Sequence, residues 1–63
     1  MKQDIMTVQK GDVIRFKAYA LRVNQEPIRK SCSVTVTGRL SIDGCPIVTK
    51  HFMKGVRAII EKP

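Results

Sequence analysis

The sequence predicts a small all-β domain. Three observations predict it: a clean period-two run from Ser31 to Ile42, an Asp43-Gly44 hairpin signal after it, and β-branched segments separated by Gly- or Pro-marked turns. The chain has 63 residues, 43% of them apolar, and its only aromatics are Phe16, Tyr19 and Phe52. The core must therefore rest on Ile, Val, Leu and Ala. A chain of this length buries a modest core, and homodimerisation or a partner would add to it.

Residues 1–9 read as a mixed, flexible lead-in, ordered at most through Ile5, Met6 and Val8. Lys10-Gly11-Asp12 is a turn signal. Val13 to Val23 reads as one long strand, with Ile14, Phe16, Ala18 and Ala20 on one side and Arg15, Lys17, Tyr19 and Leu21 on the other. The alternation weakens near Ala18 to Leu21, which predicts a bulge or strong bend. Asn24-Gln25-Glu26-Pro27 is the next turn.

In the Ser31–Ile42 strand, Cys32, Val34, Val36, Leu40 and Ile42 alternate with Ser33, Thr35, Thr37, Arg39 and Ser41. Gly38 interrupts the apolar side and predicts a sharp bend. A two-residue type I′ turn at Asp43-Gly44 would fix the register. Ile42 then faces Cys45, Leu40 faces Ile47, Arg39 faces Val48, Thr37 faces Lys50 and Thr35 faces Phe52. This register puts Arg39, Lys50 and Phe52 on one solvent face and His51 opposite Val36 on the buried face. It also opposes a disulfide. Cys32 lies ten residues before Ile42, roughly 33 Å along a straight strand, whereas disulfide Cα atoms lie within about 7 Å.

The segment from Thr49 to Lys62 admits two readings. Phe52, Val56, Ile59 and Ile60 have helical spacing opposite Lys50, Lys54 and Arg57. A central Gly55 and the β-branched residues favour a strand to about Met53, a turn at Lys54-Gly55 and a strand from Val56 to Glu61. The expected closed form is a five-stranded SH3-like or OB-like barrel, because closure removes exposed edges. An α+β fold with a C-terminal helix at about 49–61 is the alternative. Gly11-Asp12-Val13-Ile14-Arg15-Phe16 loosely resembles the opening strand of SH3-like nucleic-acid modules. Six residues of this kind assign no family.

The formal net charge is +7, from 12 Lys and Arg against 5 Asp and Glu. Its placement says more than its size. Asp4, Asp12, Glu26, Asp43 and Glu61 fall near a terminus or a turn, and three acid-free stretches, 13–25, 27–42 and 44–60, each carry three basic residues. A sheet built from them has cationic faces suited to an acidic ligand. Nucleic acid is the expected partner, with Arg15, Lys17, Arg39, Lys50, Lys54 and Arg57 on phosphates and Tyr19 and Phe52 stacking on bases. Docking on an acidic protein, by strand addition at a sheet edge, is the second expectation.

Catalysis is not expected. The sequence has no nucleophile elbow, no phosphate loop and no paired carboxylates, and so small a domain leaves little room for a substrate pocket. His51, Cys32 and Cys45 lack the close ligand pairs of a zinc site, so neither metal nor cofactor is expected. Met1-Lys2-Gln3-Asp4 is polar, no apolar signal segment follows, and no run approaches membrane-spanning length. A cytoplasmic location away from membranes is the corresponding expectation, and free thiols suit it.

Overall fold

The computed structural model describes residues 2–62. Seven strands form one antiparallel sheet: β1 (Lys2–Asp4), β2 (Val13–Arg15), β3 (Ala20–Val23), β4 (Ile28–Arg29), β5 (Ser33–Leu40), β6 (Ile47–Met53) and β7 (Arg57–Glu61). They run in the order β1-β7-β2-β3-β5. β4 continues along the edge of β5 that β3 begins, and β6 takes the other edge. The sheet curls into a half-barrel. Its concave side holds Ile14, Leu21, Val23, Val34, Val36, Ala58 and Ile60.

Residues 2–9 are part of this body and not a loose lead-in. β1 pairs with β7, and a 3-10 turn over Ile5–Thr7 follows. The Asp4 carboxylate caps that turn by accepting from the Met6 N–H at 2.9 Å. Ile5 and Val8 are fully buried and plug the half-barrel. The Arg29 guanidinium donates to the Met6 and Val8 carbonyls and covers the plug. The reason is economy of burial: a curled sheet of short strands needs apolar residues from outside the sheet to fill its concavity.

The Val13–Val23 segment is two strands, not one bent strand. The chain reverses at Lys17-Ala18, and the Phe16 N–H donates to the Tyr19 carbonyl at 2.8 Å. No Gly, Pro, Asn or Asp marks this reversal. Paired positions such as Ile14 and Leu21 differ in parity, yet cross-strand partners share a face. Ile14 and Leu21 therefore both enter the core, and the one-strand assignment of faces fails. By the same rule Phe16 and Tyr19 come to lie side by side.

β5 alternates as its sequence requires. Val34, Val36 and Gly38 face inward, while Ser33, Thr35, Thr37 and Arg39 face outward. Gly38 answers a close approach: a Cβ there would sit 2.1 Å from the backbone oxygen of Arg22. It is the position where β3 crosses tightly onto β5.

The β5–β6 register is one residue away from the sequence reading. Arg39 pairs with Ile47, Gly38 with Val48, Val36 with Lys50, Thr35 with His51 and Val34 with Phe52. The turn closes through a Cys45 N–H to Ile42 carbonyl bond of 2.8 Å. Gly44 has a φ of 83° and Cys45 a φ of 43°, whereas Asp43 keeps a negative φ. The turn is not type I′, and the left-handed Cys45 adds one residue to the loop. A one-residue slip moves a whole strand face. Here it turns Val48, Lys50 and Phe52 toward the core and leaves Thr49 and His51 outside. The expected register would have put Thr49 and His51 inside, along with Ile47 and Met53, all of which the structure leaves exposed. His51 instead meets Thr35 on the convex face, Nδ1 to Oγ1 at 2.7 Å.

No helix forms at 49–61. Lys54-Gly55 is a turn, with the Val56 N–H donating to the Met53 carbonyl and Gly55 at a φ of 95°. The favoured strand-turn-strand reading holds. Cys32 and Cys45 are free, exposed and at opposite ends of the β5–β6 hairpin. Among the described residues no helix is long and apolar enough to cross a membrane.

Asp12 is the one buried charged residue among those described, at 1% exposure. Its Oδ2 accepts from the Gln9 N–H and from Lys62 Nζ, both at 2.9 Å. Asp12→Ala strands the Gln9 donor and breaks the tie between the β2 entrance and the C-terminal end. A loss of about 1–3 kcal/mol is expected in urea unfolding. Lys62→Gln should cost less, because that partner is half exposed. Equal and negligible losses in both variants would contradict this role.

Candidate nucleic-acid interface

All three aromatic rings of the chain meet at one end of the half-barrel. The β2–β3 reversal sets the Phe16 and Tyr19 centroids 5.0 Å apart. The β5–β6 register turns Phe52 inward, where it lies stacked with Phe16 at 6.2 Å and an interplanar angle of 14°. Lys50, two residues before Phe52 on the same face, places Nζ 5.9 Å from the Phe16 centroid and 5.8 Å from the Tyr19 centroid. Both distances are within cation–π reach. All three rings are half-buried, and Phe16 and Phe52 pack against the core.

Beside this cluster runs a groove of about 540 Å³. Phe16, Phe52, Val56, Ala58 and Ile59 form its apolar walls, and Lys2, Arg15, Lys17 and Arg57 supply its charge. Its volume lies in the range of ligand pockets, more room than the length of the chain suggested. None of its lining residues is a carboxylate, His, Ser or Cys. It offers cations and flat apolar surface.

The cations are not equally free. Arg15 Nε donates to Glu61 Oε2 at 2.8 Å. That hydrogen bond first, and the carboxylate charge second, hold the Arg15 guanidinium above its ordinary pKa. Arg57 Nη2 donates to the Lys2 carbonyl at 3.0 Å, which steadies both residues at the rim. Lys17 stands exposed at the reversal, and neither of the two ion pairs among the described residues involves it.

The expected site residues thus divide. Arg15, Lys17, Tyr19, Lys50, Phe52 and Arg57 gather around the groove and its rings. Arg39 does not: it lies on the convex face, where Nη1 donates to the Cys45 carbonyl at 3.0 Å. The grouping of Arg39 with Lys50 and Phe52 on one face is therefore overturned, and the register slip is the cause. Lys54 sits in the β6–β7 turn, outside the groove lining. Phe16 and Lys2 join the groove residues only in the structure. A single strand over Val13–Val23 sets Phe16 on the face opposite Tyr19, and a loose lead-in leaves Lys2 unplaced, so neither stands out in the sequence. Compared with protein-family models, with curated proteins and with solved structures, the chain matches none.

Proposed function

We propose that this protein binds single-stranded nucleic acid without catalysis, using the groove and its aromatic end. The observation that carries the reading is the meeting of Phe16, Tyr19 and Phe52 with Lys50, beside a groove rimmed by Lys2, Arg15, Lys17 and Arg57. Unpaired bases present flat faces that stack on rings, and a cationic rim tracks the phosphates. Duplex DNA hides those faces and needs no rings. In this reading the curled sheet serves as an open relative of the SH3-like and OB-like barrels.

Lys17→Gln and Arg57→Gln test the electrostatic half. Each is expected to weaken oligonucleotide binding across sequences. Each should also flatten the dependence of log affinity on log salt by about 0.7, the loss of one single-strand phosphate contact. Anisotropy titrations over a salt series read both effects. A parent protein whose binding ignores salt, or variants with the parent's slope, would remove this reading.

One observation favours a second reading. Among the described residues β6 pairs only with β5. The Leu40 N–H to Pro46 carbonyl and Lys54 N–H to Cys32 carbonyl bonds fix which positions face β5. By alternation, Ile47, Thr49, His51 and Met53 turn their N–H and C=O groups outward. An acidic protein segment could add there as a strand. Capture of one protein after nuclease treatment, with no binding of oligonucleotides, would favour that partner.

A further inference from the structure

Two arginines outside the groove form a pair that nothing in the fold explains. Arg22 of β3 and Arg39 of β5 are direct cross-strand partners on the convex face, and both are exposed. The neighbouring Asn24 N–H to Thr37 carbonyl bond marks this as a hydrogen-bonded ladder position, with Cα atoms about 5.5 Å apart. Like charges placed directly opposite repel and destabilise the sheet. A carboxylate would normally lie between them. The ion pairs among the described residues are Arg15–Glu61 and Lys62–Asp12, and neither includes Arg22 or Arg39.

The surroundings form a small basin. The two arginines border a concavity of about 200 Å³ walled by Ala20, Leu40, Ser41 and Cys45. The Ser41 hydroxyl oxygen accepts from the Ala20 N–H at 2.8 Å, which leaves its own O–H to donate elsewhere. Arg39 spends one N–H on the Cys45 carbonyl, which holds its guanidinium by the hairpin loop and leaves its other donors open. The Gly38 contact with the Arg22 backbone fixes the two strands closely together beneath them.

We propose that Arg22, Arg39 and Ser41 form a binding site for a phosphate group. Two guanidinium forks and a hydroxyl match the oxygens of a phosphate, and bound anion relieves the repulsion between the arginines. Neither arginine lines the groove. The site therefore stands on its own observations, whether the groove takes nucleic acid or not.

The test is amide NMR and thermal unfolding in sodium phosphate against sodium chloride at equal ionic strength. Phosphate is expected to shift the amides of Arg22, Arg39, Ser41 and Cys45 saturably and to raise Tm above the chloride value. Arg22→Gln and Arg39→Gln should each weaken phosphate binding at least tenfold. Both side chains are exposed, so both variants should fold, and Arg22→Gln should melt no lower than the parent in chloride. Equal responses to phosphate and chloride, or undiminished phosphate binding in the double variant, would overturn the site.

Oligonucleotides with and without a 5′-phosphate then separate the sources. An affinity loss in the double variant confined to the phosphorylated one assigns a terminal monoester, and a loss with both assigns a backbone diester. Phosphate binding without any oligonucleotide binding would keep this site and remove the proposed function. Oligonucleotide binding with no phosphate-specific shift would do the reverse.

Discussion

Gly38→Ala is expected to remove a large share of the protein's folding stability at 25 °C. The added Cβ would lie 2.1 Å from the Arg22 backbone oxygen, 2.8 Å from its carbonyl carbon and 3.1 Å from Leu21 Cδ1. The first two are backbone atoms of the paired strand, so no rotamer change relieves the overlap. β3 must instead move off β5, and Leu21 and Val23, both buried, move with it. The cost should exceed about 4 kcal/mol, the range reserved for strain and disrupted packing together. At 0.05–0.15 kcal/mol per residue, a chain of 63 residues has a total stability of roughly 3–9 kcal/mol. Circular dichroism with urea titration reads the outcome. A Gly38→Ala variant within about 1 kcal/mol of the parent would show that the β3–β5 approach is looser than described.

The second large effect concerns binding. Phe52→Leu and Phe16→Leu keep an apolar side chain against the core while removing the ring. Stacking of one base on an aromatic ring is worth about 1–3 kcal/mol, or about 5- to 150-fold in affinity. Each substitution should lower affinity for a single-stranded oligonucleotide within that span. The double variant should lose less than the product of the two, because the rings stack on each other and share a ligand face. Affinity for duplex DNA, governed by the unchanged cations, should move little. An equal loss for duplex and single strand would show that the rings only support the fold.

The all-β class and several turns were legible because they rest on local chemistry. The period-two run of β5 and the Gly-marked turns at Lys10-Gly11 and Lys54-Gly55 each follow from residue types a few positions apart. The Lys17-Ala18 reversal was not legible, since it lacks every residue that usually marks a turn. Tertiary packing of Ile14 against Leu21 decides it instead. The β5–β6 register was missed for a related reason. Asp43-Gly44 does form a turn, but the left-handed Cys45 lengthens the loop by one residue. The pairing then turns Val48, Lys50 and Phe52 inward and leaves Ile47, Thr49, His51 and Met53 outside. These two misreadings set the limits on the candidate site. Of the cations the sequence offers for the site, Arg15, Lys17, Lys50 and Arg57 come together and Arg39 and Lys54 do not, and the face shared by Phe16, Tyr19, Lys50 and Phe52 appears only once both parities are set by the fold. Arg22 does not stand out in the sequence, because its partner Arg39 is 17 positions away and is brought opposite it by pairing alone.

The most direct measurement is a fluorescence-anisotropy titration of the parent protein with labelled single-stranded and duplex oligonucleotides of equal length, repeated across a salt series. If bases stack on Phe16 and Phe52 while the rim cations hold phosphates, single strands bind more tightly than duplex near physiological salt, with affinity falling linearly in log salt. Equal affinity for both forms, or binding to neither once modest salt is added, would contradict the groove as a single-strand site.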